Sequence, residues 1–219
     1  MIVEVASVAQ AVAALSACWA IISGINAWKR EFIGKRRIEL AELALAQFYE
    51  LEEILKYVRN PFSGNNEGKT RKRETGETED QARLLDQAYV VIERIQAKET
   101  QLNAFRALKF RFMATFGRDT STIFDDTSAV FHSVVIAAHA LGTYYWQRQG
   151  RVPMTADEQK QHLTDMQRHQ ASFWDTGQDD DELRKRVNVI QERLEAVVRP
   201  SFEEASQLYK LALQPFWKG

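Results

Sequence analysis

Glycine and proline, which interrupt regular secondary structure, and cysteine, which cross-links chains, are scarce in this sequence. Its 219 residues include 10 glycines, 4 prolines and a single cysteine, Cys18. One cysteine excludes an intramolecular disulfide and a cysteine-based metal cluster, which suits a reducing compartment. The shortage of glycine and proline argues against many short strands joined by tight turns, and it favours long helices.

Neither sign of charge dominates, because 29 basic and 30 acidic residues give a net charge of −1. This balance lends no support to a general role in nucleic-acid binding. Hydrophobic residues make up 45% of the chain, so it can build a core and global disorder is excluded. Enzyme signatures are also missing: there is no glycine-rich phosphate loop, Gly-x-Ser-x-Gly elbow or Cys-x-x-Cys pair. We therefore expect no cofactor, and the sequence leans towards a non-enzymatic role.

One long uncharged segment is present, VASVAQAVAALSACWAIISGINAW at residues 5–28. As a helix it would be ~36 Å long, which exceeds the ~30 Å hydrocarbon core of a bilayer. A basic cluster follows at once, formed by Lys29, Arg30, Lys35, Arg36 and Arg37. By the positive-inside rule, this pattern predicts a transmembrane helix within residues 1–28 and a cytoplasmic part over residues 29–219, with the lipid bilayer as a partner.

Two other interpretations of this segment stay open. Its alanines and its polar serine, glutamine and asparagine side chains make it only moderately apolar. A soluble protein could therefore bury it as a helix, for instance in a multimer interface. A cleaved secretory signal fits less well, because the basic cluster follows the apolar part instead of preceding it.

Small residues share one face of the predicted span. That face carries Ser7, Ala11, Ala14 and Cys18, three or four residues apart, and continues through Ile22 and Ile25. In a bilayer, small residues let two helices approach closely, so this face predicts a homo-oligomer whose spans pack together. A lone anchor that tolerates small residues is the alternative. Around a pore, Ile22 and Ile25 would close the lining with apolar groups.

The rest of the chain has the pattern of long helices. Apolar residues recurring at three- and four-residue steps, together with a Thr-x-x-Glu capping box at Thr155, predict helices over residues 29–58, 80–116, 121–148 and 156–172. A last helix comes after these, which Pro200 is expected to break or kink. Polar residues 61–79 predict a mobile loop. Because no strand pattern is present, we predict an all-α fold, with an N-terminal transmembrane helix continuing into a cytoplasmic helical bundle.

Two short segments have a functional and a structural interpretation. The run KTRKR at residues 69–73 suits contact with lipid headgroups or RNA, or simply a solvated loop. The aromatic and basic segment LGTYYWQRQGRVP at residues 141–153 suits stacking on bases or a partner contact, or simply a packed helix end.

The four histidines form two pairs with the same spacing. His132 and His139 lie seven residues apart on a helix predicted to be buried, and His162 and His169 lie seven apart with Asp165 between them. Two helical turns separate each pair by ~10.5 Å, too far to share one metal ion with ligands at ~2 Å. We predict no metal site. His132 and His139 stay candidates for a divergent polar site.

The stretch WKREFIGKRRIELAELALAQFYE at residues 28–50, followed downstream by LGTYYWQRQGRVP, resembles a group of uncharacterised bacterial proteins with one N-terminal span and a helical cytoplasmic part. In plan, the chain is also similar to the small membrane accessory proteins of RNA-targeting type VI-B CRISPR systems. That resemblance implies a degenerate HEPN-like domain, an oligomeric pore and a role in antiviral defence. It carries no catalytic residue, because no arginine precedes any of the four histidines at the HEPN spacing.

These patterns lead to one principal hypothesis and two alternatives. The principal hypothesis is a single-pass, homo-oligomeric protein of the bacterial inner membrane, acting as a pore-forming effector or accessory in antiviral defence. The first alternative is a soluble helical adaptor that uses residues 5–28 for oligomerisation. The second is a divergent HEPN-like protein that binds RNA. RNA or another defence-system protein is accordingly a candidate partner.

Overall fold

The computed structural model describes residues 2–64, 66–177 and 180–212, with side chains described for residues 15–25, 28–64, 66–177 and 180–203. Every regular element within these residues is helical, which confirms the all-α prediction. The helices are α1 (Ile2–Val58), α2 (Glu79–Ala97), α3 (Glu99–Phe116), α4 (Ser121–Ala140), α5 (Trp146–Arg148), α6 (Ala156–Phe173) and α7 (Glu182–Ala212). A 3₁₀ turn (Arg118–Thr120) leads into α4, and a π-helical segment (Leu141–Tyr145) joins α4 to α5.

The chain divides into two compact units. The first unit takes residues 1–42 together with 198–219, and the second takes Leu43–Val197. The boundary predicted at residue 28 falls inside α1, which continues without a break to Val58. This continuity agrees with the strong helix formers and the absence of proline over residues 29–58.

Four phenylalanines from three helices form the centre of the second unit. Phe48 of α1 lies 6.2 Å from the ring of Phe105, whose ring lies 4.7 Å from that of Phe124. Phe112 contacts Phe124 edge-on at 5.4 Å. All four side chains are buried, and each buried ring contributes about 1.5–3 kcal/mol to folding. α4 packs against α2, α3 and α6, so this most apolar helix lies at the centre of the unit.

Capping boxes start two of the helices. The box at Thr155, predicted from its spacing to Glu158, is confirmed: the Thr155 hydroxyl accepts from the Glu158 amide, and the Glu158 carboxylate accepts from the Thr155 amide. A second box joins Thr78 and Gln81 at the start of α2. The pattern Thr-x-x-Gln carries the same signal, so this helix start was also open to prediction.

Three of the predicted helices differ from those observed. The helix predicted over residues 121–148 is interrupted by the π-helical segment. The single helix predicted over residues 80–116 is two helices that meet at Lys98, where the backbone leaves helical geometry. Residues 98–101 carry no apolar side chain, so no buried apolar contact holds that turn in line. α7 includes Pro200 within its helical range, so the predicted break there is wrong, whereas the alternative of a kink stays a prediction.

Gly142 provides a sharp test of how α2 packs on the π-helical segment. A Cβ atom at position 142 would lie 2.6 Å from the Cβ of Ala88, closer than two carbons can approach. Gly142→Ala should therefore destabilise the fold by about 1–3 kcal/mol, measured by chemical denaturation. The matched control is Gly34→Ala, where nothing lies within 4 Å and the better helix former should be neutral or stabilising. Equal effects of the two variants would contradict this packing.

Candidate functional site

The N-terminal part of α1 exposes an uncharged surface. Every side chain from Leu15 to Ile25 is exposed, and none of them carries a charge. Leu15 is 70% exposed and Trp19 74%, which is unusual for side chains of this size and apolarity. Large contiguous apolar surfaces of this kind mark contacts with lipid or with another protein.

The apolar surface continues into the basic cluster. Trp28 stacks on Phe32 with ring centroids 5.6 Å apart, and both side chains are exposed. Arg36 lies over the Phe32 ring of this pair, with its guanidinium carbon 4.5 Å from the ring centroid. Of the remaining predicted flanking residues, Lys29, Arg30 and Lys35 are exposed and Arg37 is half-buried. Apolar and cationic groups therefore alternate over this part of the helix surface.

The residues predicted to line a span interface are only partly visible. The side chains of Ser7, Ala11 and Ala14 lie outside those that the structure describes. Cys18 is exposed, as are Ile22 and Ile25 further along. Across the described residues, no helix has both the length and the apolarity needed to cross a membrane. The transmembrane helix and the packing of its small residues stay predictions.

The two histidines proposed as a divergent polar site do not converge. His132 and His139 lie on α4, but both side chains are exposed although the helix itself is largely buried. Ile136, midway between them, is also exposed. Within the described residues no hydrogen bond or ring contact joins either side chain to another titratable group, and no three His, Cys, Asp or Glu side chains are placed to hold a metal ion.

The other two histidines meet the aromatic segment, from which they are well separated in the sequence. Tyr145 of the π-helical segment lies between His162 and His169 of α6, with ring centroids at 5.3 Å and 5.1 Å. Tyr144 contacts Tyr145 edge-on, and Arg148 covers the Tyr144 ring at 4.8 Å. We call these five residues the aromatic–histidine cluster.

The π-helical segment creates this cluster. A π-turn inserts an extra residue into the helix and rotates the next turn, so two consecutive tyrosines approach α6. The loosened backbone is supported by side chains: the Thr143 hydroxyl donates to the His139 carbonyl, and the Gln147 amide donates to the Gly142 carbonyl. The Nε2 atom of His162 is buried and has no hydrogen-bond partner among the described residues. Ring packing makes the cluster a structural joint between α6 and the end of α4.

Burial lowers the pKa of His169, while Asp165 on the same helix opposes this effect and Arg168 adds to it. Because the folded pKa lies below the ordinary value, protonation opposes folding, and this loss of stability begins as the pH falls through the ordinary value. We expect an NMR titration to place the pKa of His169 below 6.5. Asp165→Asn should lower it further, and Arg168→Gln should raise it. A higher pKa of His169 in Asp165→Asn, or a lower one in Arg168→Gln, would contradict the proposed environment.

Two of the four cations in the basic run of the predicted mobile loop, Arg71 and Arg73, are paired within the protein. Arg71 donates to both carboxylate oxygens of Glu77, at 2.5 and 2.7 Å, and to Asp86 at 2.9 Å. These contacts lower the pKa of Glu77 to about 2, mainly through the hydrogen bonds from Arg71. Arg73 reaches Glu79 and Asp86. Lys69 and Lys72 are exposed and form no ion pair with the described residues, so only these two cations of the run stay available to RNA or lipid headgroups.

Comparison with known protein families, with curated proteins and with solved structures finds no match to this chain.

Proposed function

We propose that this protein is a membrane-anchored, homo-oligomeric and non-enzymatic helical protein whose first unit contacts lipid through the N-terminal part of α1. The observation that carries the proposal is the exposed, uncharged surface from Leu15 to Ile25, followed directly by Trp28 and the basic cluster. Water is a poor solvent for this surface, whereas a bilayer with anionic headgroups matches both of its parts.

The energies favour lipid contact. Covering a large apolar side chain contributes about 1.5–3 kcal/mol, so transferring Trp19, Ile22 and Ile25 alone from water to lipid is comparable with the binding energy of many weak membrane associations. Trp28 has the amphipathic ring that is enriched at membrane interfaces. The exposed cations that follow it, Lys29 and Arg30, suit the adjoining anionic headgroups.

Self-association completes the proposal. The small residues Ser7, Ala11, Ala14 and Cys18 would let the N-terminal helices of neighbouring copies approach closely in lipid. A pore and a role in antiviral defence are proposed from the resemblance to the type VI-B accessory proteins. A location in the bacterial inner membrane is proposed from that resemblance and from the positive-inside rule.

Vesicle flotation tests the lipid contact. Reconstituted full-length protein should float with vesicles, and Ile22→Lys/Ile25→Lys should remain at the bottom of the gradient, because each lysine costs about 2.5–3.5 kcal/mol at the centre of a bilayer. The matched control is Ile136→Lys/Val189→Lys, two exposed apolar residues of the second unit, which should float normally. Recovery of the unmodified protein in a high-salt soluble fraction without detergent would overturn the anchor. A monomeric mass in detergent would overturn the oligomer.

A soluble adaptor is the second candidate, because an exposed apolar helix also suits burial between copies of the chain. The same fractionation separates the two functions. The adaptor requires a multimer in detergent-free buffer whose mass falls when Ile22 and Ile25 are replaced by lysine. The anchored protein requires detergent or lipid to remain in solution.

A further inference from the structure

Two helical segments of this chain carry charges of one sign only. Residues 38–55 contain five glutamates and no lysine or arginine, whereas residues 100–118 contain three arginines, one lysine and no carboxylate. The first segment lies in α1 and the second covers most of α3. In a chain whose total charge is −1, this separation places opposite charges on different helices.

The outer face of α3 is basic with an aromatic centre. Its exposed side chains, three or four residues apart, are Asn103, Arg106, Ala107, Phe110, Arg111 and Ala114. Phe110 is 74% exposed, the highest exposure of any large apolar residue in the described part of α2–α7. Lys109, at the edge of the face, is used internally by Asp125 at 2.6 Å. Arg106 donates only to Asn103, and within the described residues Arg111 has no ion pair. This face is cationic, and no described residue of another helix forms an ion pair with Arg106 or Arg111.

The outer face of α1 within the second unit is its counterpart. Its exposed side chains are Leu43, Ala46, Tyr49, Glu50, Glu53, Lys56 and Tyr57. Glu53 pairs only with Lys56 on the next turn, and within the described residues Glu50 has no ion pair. The two faces thus share one design, with small and aromatic residues at the centre and charges of opposite sign at the edges.

The two helices are antiparallel neighbours in the second unit. Phe48 lies beside Phe105, and Tyr57, further along α1, lies 5.8 Å from the ammonium of Lys98 at the start of α3. Within the described residues no ion pair joins the glutamates of α1 to the arginines of α3. Arg106 and Arg111 on α3 and Glu50 on α1 therefore keep their charges available to a second molecule.

We propose that the second unit forms a two-fold dimer in which the α3 face of each copy docks on the α1 face of the other. In a two-fold arrangement both pairings form twice, because each copy carries both faces side by side. Phe110 would then pack among Leu43, Ala46 and Tyr49 of the second copy, with Arg106 and Arg111 beside Glu50 and Glu53. Charge complementarity of this kind fixes register and accelerates docking.

A second copy fits these faces better than a phosphate-bearing partner. Nucleic acid or an anionic bilayer would attract the arginines of α3, but the glutamates of the neighbouring α1 face would repel either. The inference deepens the self-association in the proposed function, and it does not depend on the contact of α1 with lipid.

Disulfide trapping between two differently tagged chains tests this contact. Both chains carry Cys18→Ser. One also carries Ala46→Cys and the other Ala107→Cys, and the two are co-expressed and oxidised with copper–phenanthroline. The mixed disulfide dimer should form, because the docked faces bring the two positions together. The matched control replaces Ala107→Cys by Val189→Cys, an exposed position on α7.

Charge reversal with rescue makes the test specific. Arg106→Glu/Arg111→Glu in the Ala107→Cys chain should lower the yield of mixed dimer by about tenfold. Adding Glu50→Arg/Glu53→Arg to the Ala46→Cys chain should restore it. A yield no higher than that of the control, or no rescue, would overturn the dimer. A third result would also overturn the dimer: the parent pair forms no mixed dimer, and Arg106→Glu/Arg111→Glu abolishes binding to anionic vesicles or RNA. That result would assign the α3 face to a phosphate ligand. Vesicle flotation is measured separately, so a failure of the lipid contact does not change the interpretation of the disulfide trapping.

Discussion

Arg59→Met should destabilise the second unit by about 3–5 kcal/mol, because it leaves a buried carboxylate without its partner. The side chains of Arg59 and Asp181 are only 2% and 3% exposed, and the guanidinium donates to both carboxylate oxygens, at 2.6 and 3.2 Å. The same guanidinium also donates to the carbonyls of Ala171, Ser172 and Trp174 at the end of α6. One side chain thus joins the end of α1 to the end of α6 and the start of α7.

Chemical denaturation of three variants separates the contributions. Arg59→Met should cost more than Arg59→Met/Asp181→Leu, because the double variant leaves no buried charge. The double variant still loses the carbonyl contacts of Arg59 and the hydrogen bond from the Arg184 amide to Asp181. The matched control is Arg168→Met on α6, whose side chain is 76% exposed and should cost less than about 1 kcal/mol. A single variant as stable as the control would contradict the role of the pair.

Acid unfolding supplies an independent readout of the same pair. Burial raises the pKa of Asp181, but hydrogen bonds from Arg59 and from the amides of Arg184 and Leu183 outweigh burial and lower it overall. Because the folded pKa of Asp181 is lowered, its carboxylate stabilises the protein at pH values above its ordinary pKa of 3.8. This stability is lost as the pH falls through the folded pKa. Asp181→Asn should therefore flatten the acid side of the stability profile.

Local patterns predicted most of the helices but not the joints between them. Apolar periodicity located the helices before residue 150, and the Thr155 capping box fixed the start of the polar helix α6. No glycine or proline lies at the break at Lys98, so the sequence contains no signal that predicts it. The π-helical segment likewise depends on the contacts of Tyr145 with His162 and His169 of α6. These histidines lie 17 and 24 residues further along the chain, so a local sequence pattern does not reveal the contacts.

Side-chain burial was harder to predict than helix position. His132 and His139 lie on a helix correctly expected to be largely buried, yet both face outwards. Arg59 and Arg94, in contrast, are buried although an isolated arginine in a sequence suggests a solvated residue. Their partners include backbone carbonyls at helix ends, and a sequence pattern contains no information about which distant helix end a guanidinium will reach.

Arg94→Met should loosen the beginning of the predicted mobile loop and cost about 2–4 kcal/mol, since several charge-assisted hydrogen bonds are lost together. Arg94 is 4% exposed and lies on α2. Its guanidinium donates to the carbonyls of Tyr57, Val58, Asn60 and Phe62 and to the carboxylate of Glu67. It therefore satisfies carbonyls at the end of α1 that no further helical turn can reach.

Hydrogen exchange distinguishes this anchoring from a general loss of stability. Amides of residues 62–64 and 66–68 should exchange faster in Arg94→Met than the change in global stability accounts for. Arg94→Lys should restore little, because an ammonium cannot reproduce the planar fork that contacts carbonyls on both sides. Glu67→Gln should cost less than Arg94→Met: the hydrogen bond from Arg94 lowers the pKa of Glu67, but this side chain is 29% exposed and solvent can replace its contact. The matched control is Arg83→Met, which replaces an exposed arginine of the same helix. Equal exchange rates of the loop amides in Arg94→Met and Arg83→Met would show that Arg94 does not hold the loop. The mobility predicted for residues 61–79 would then extend to the end of α1.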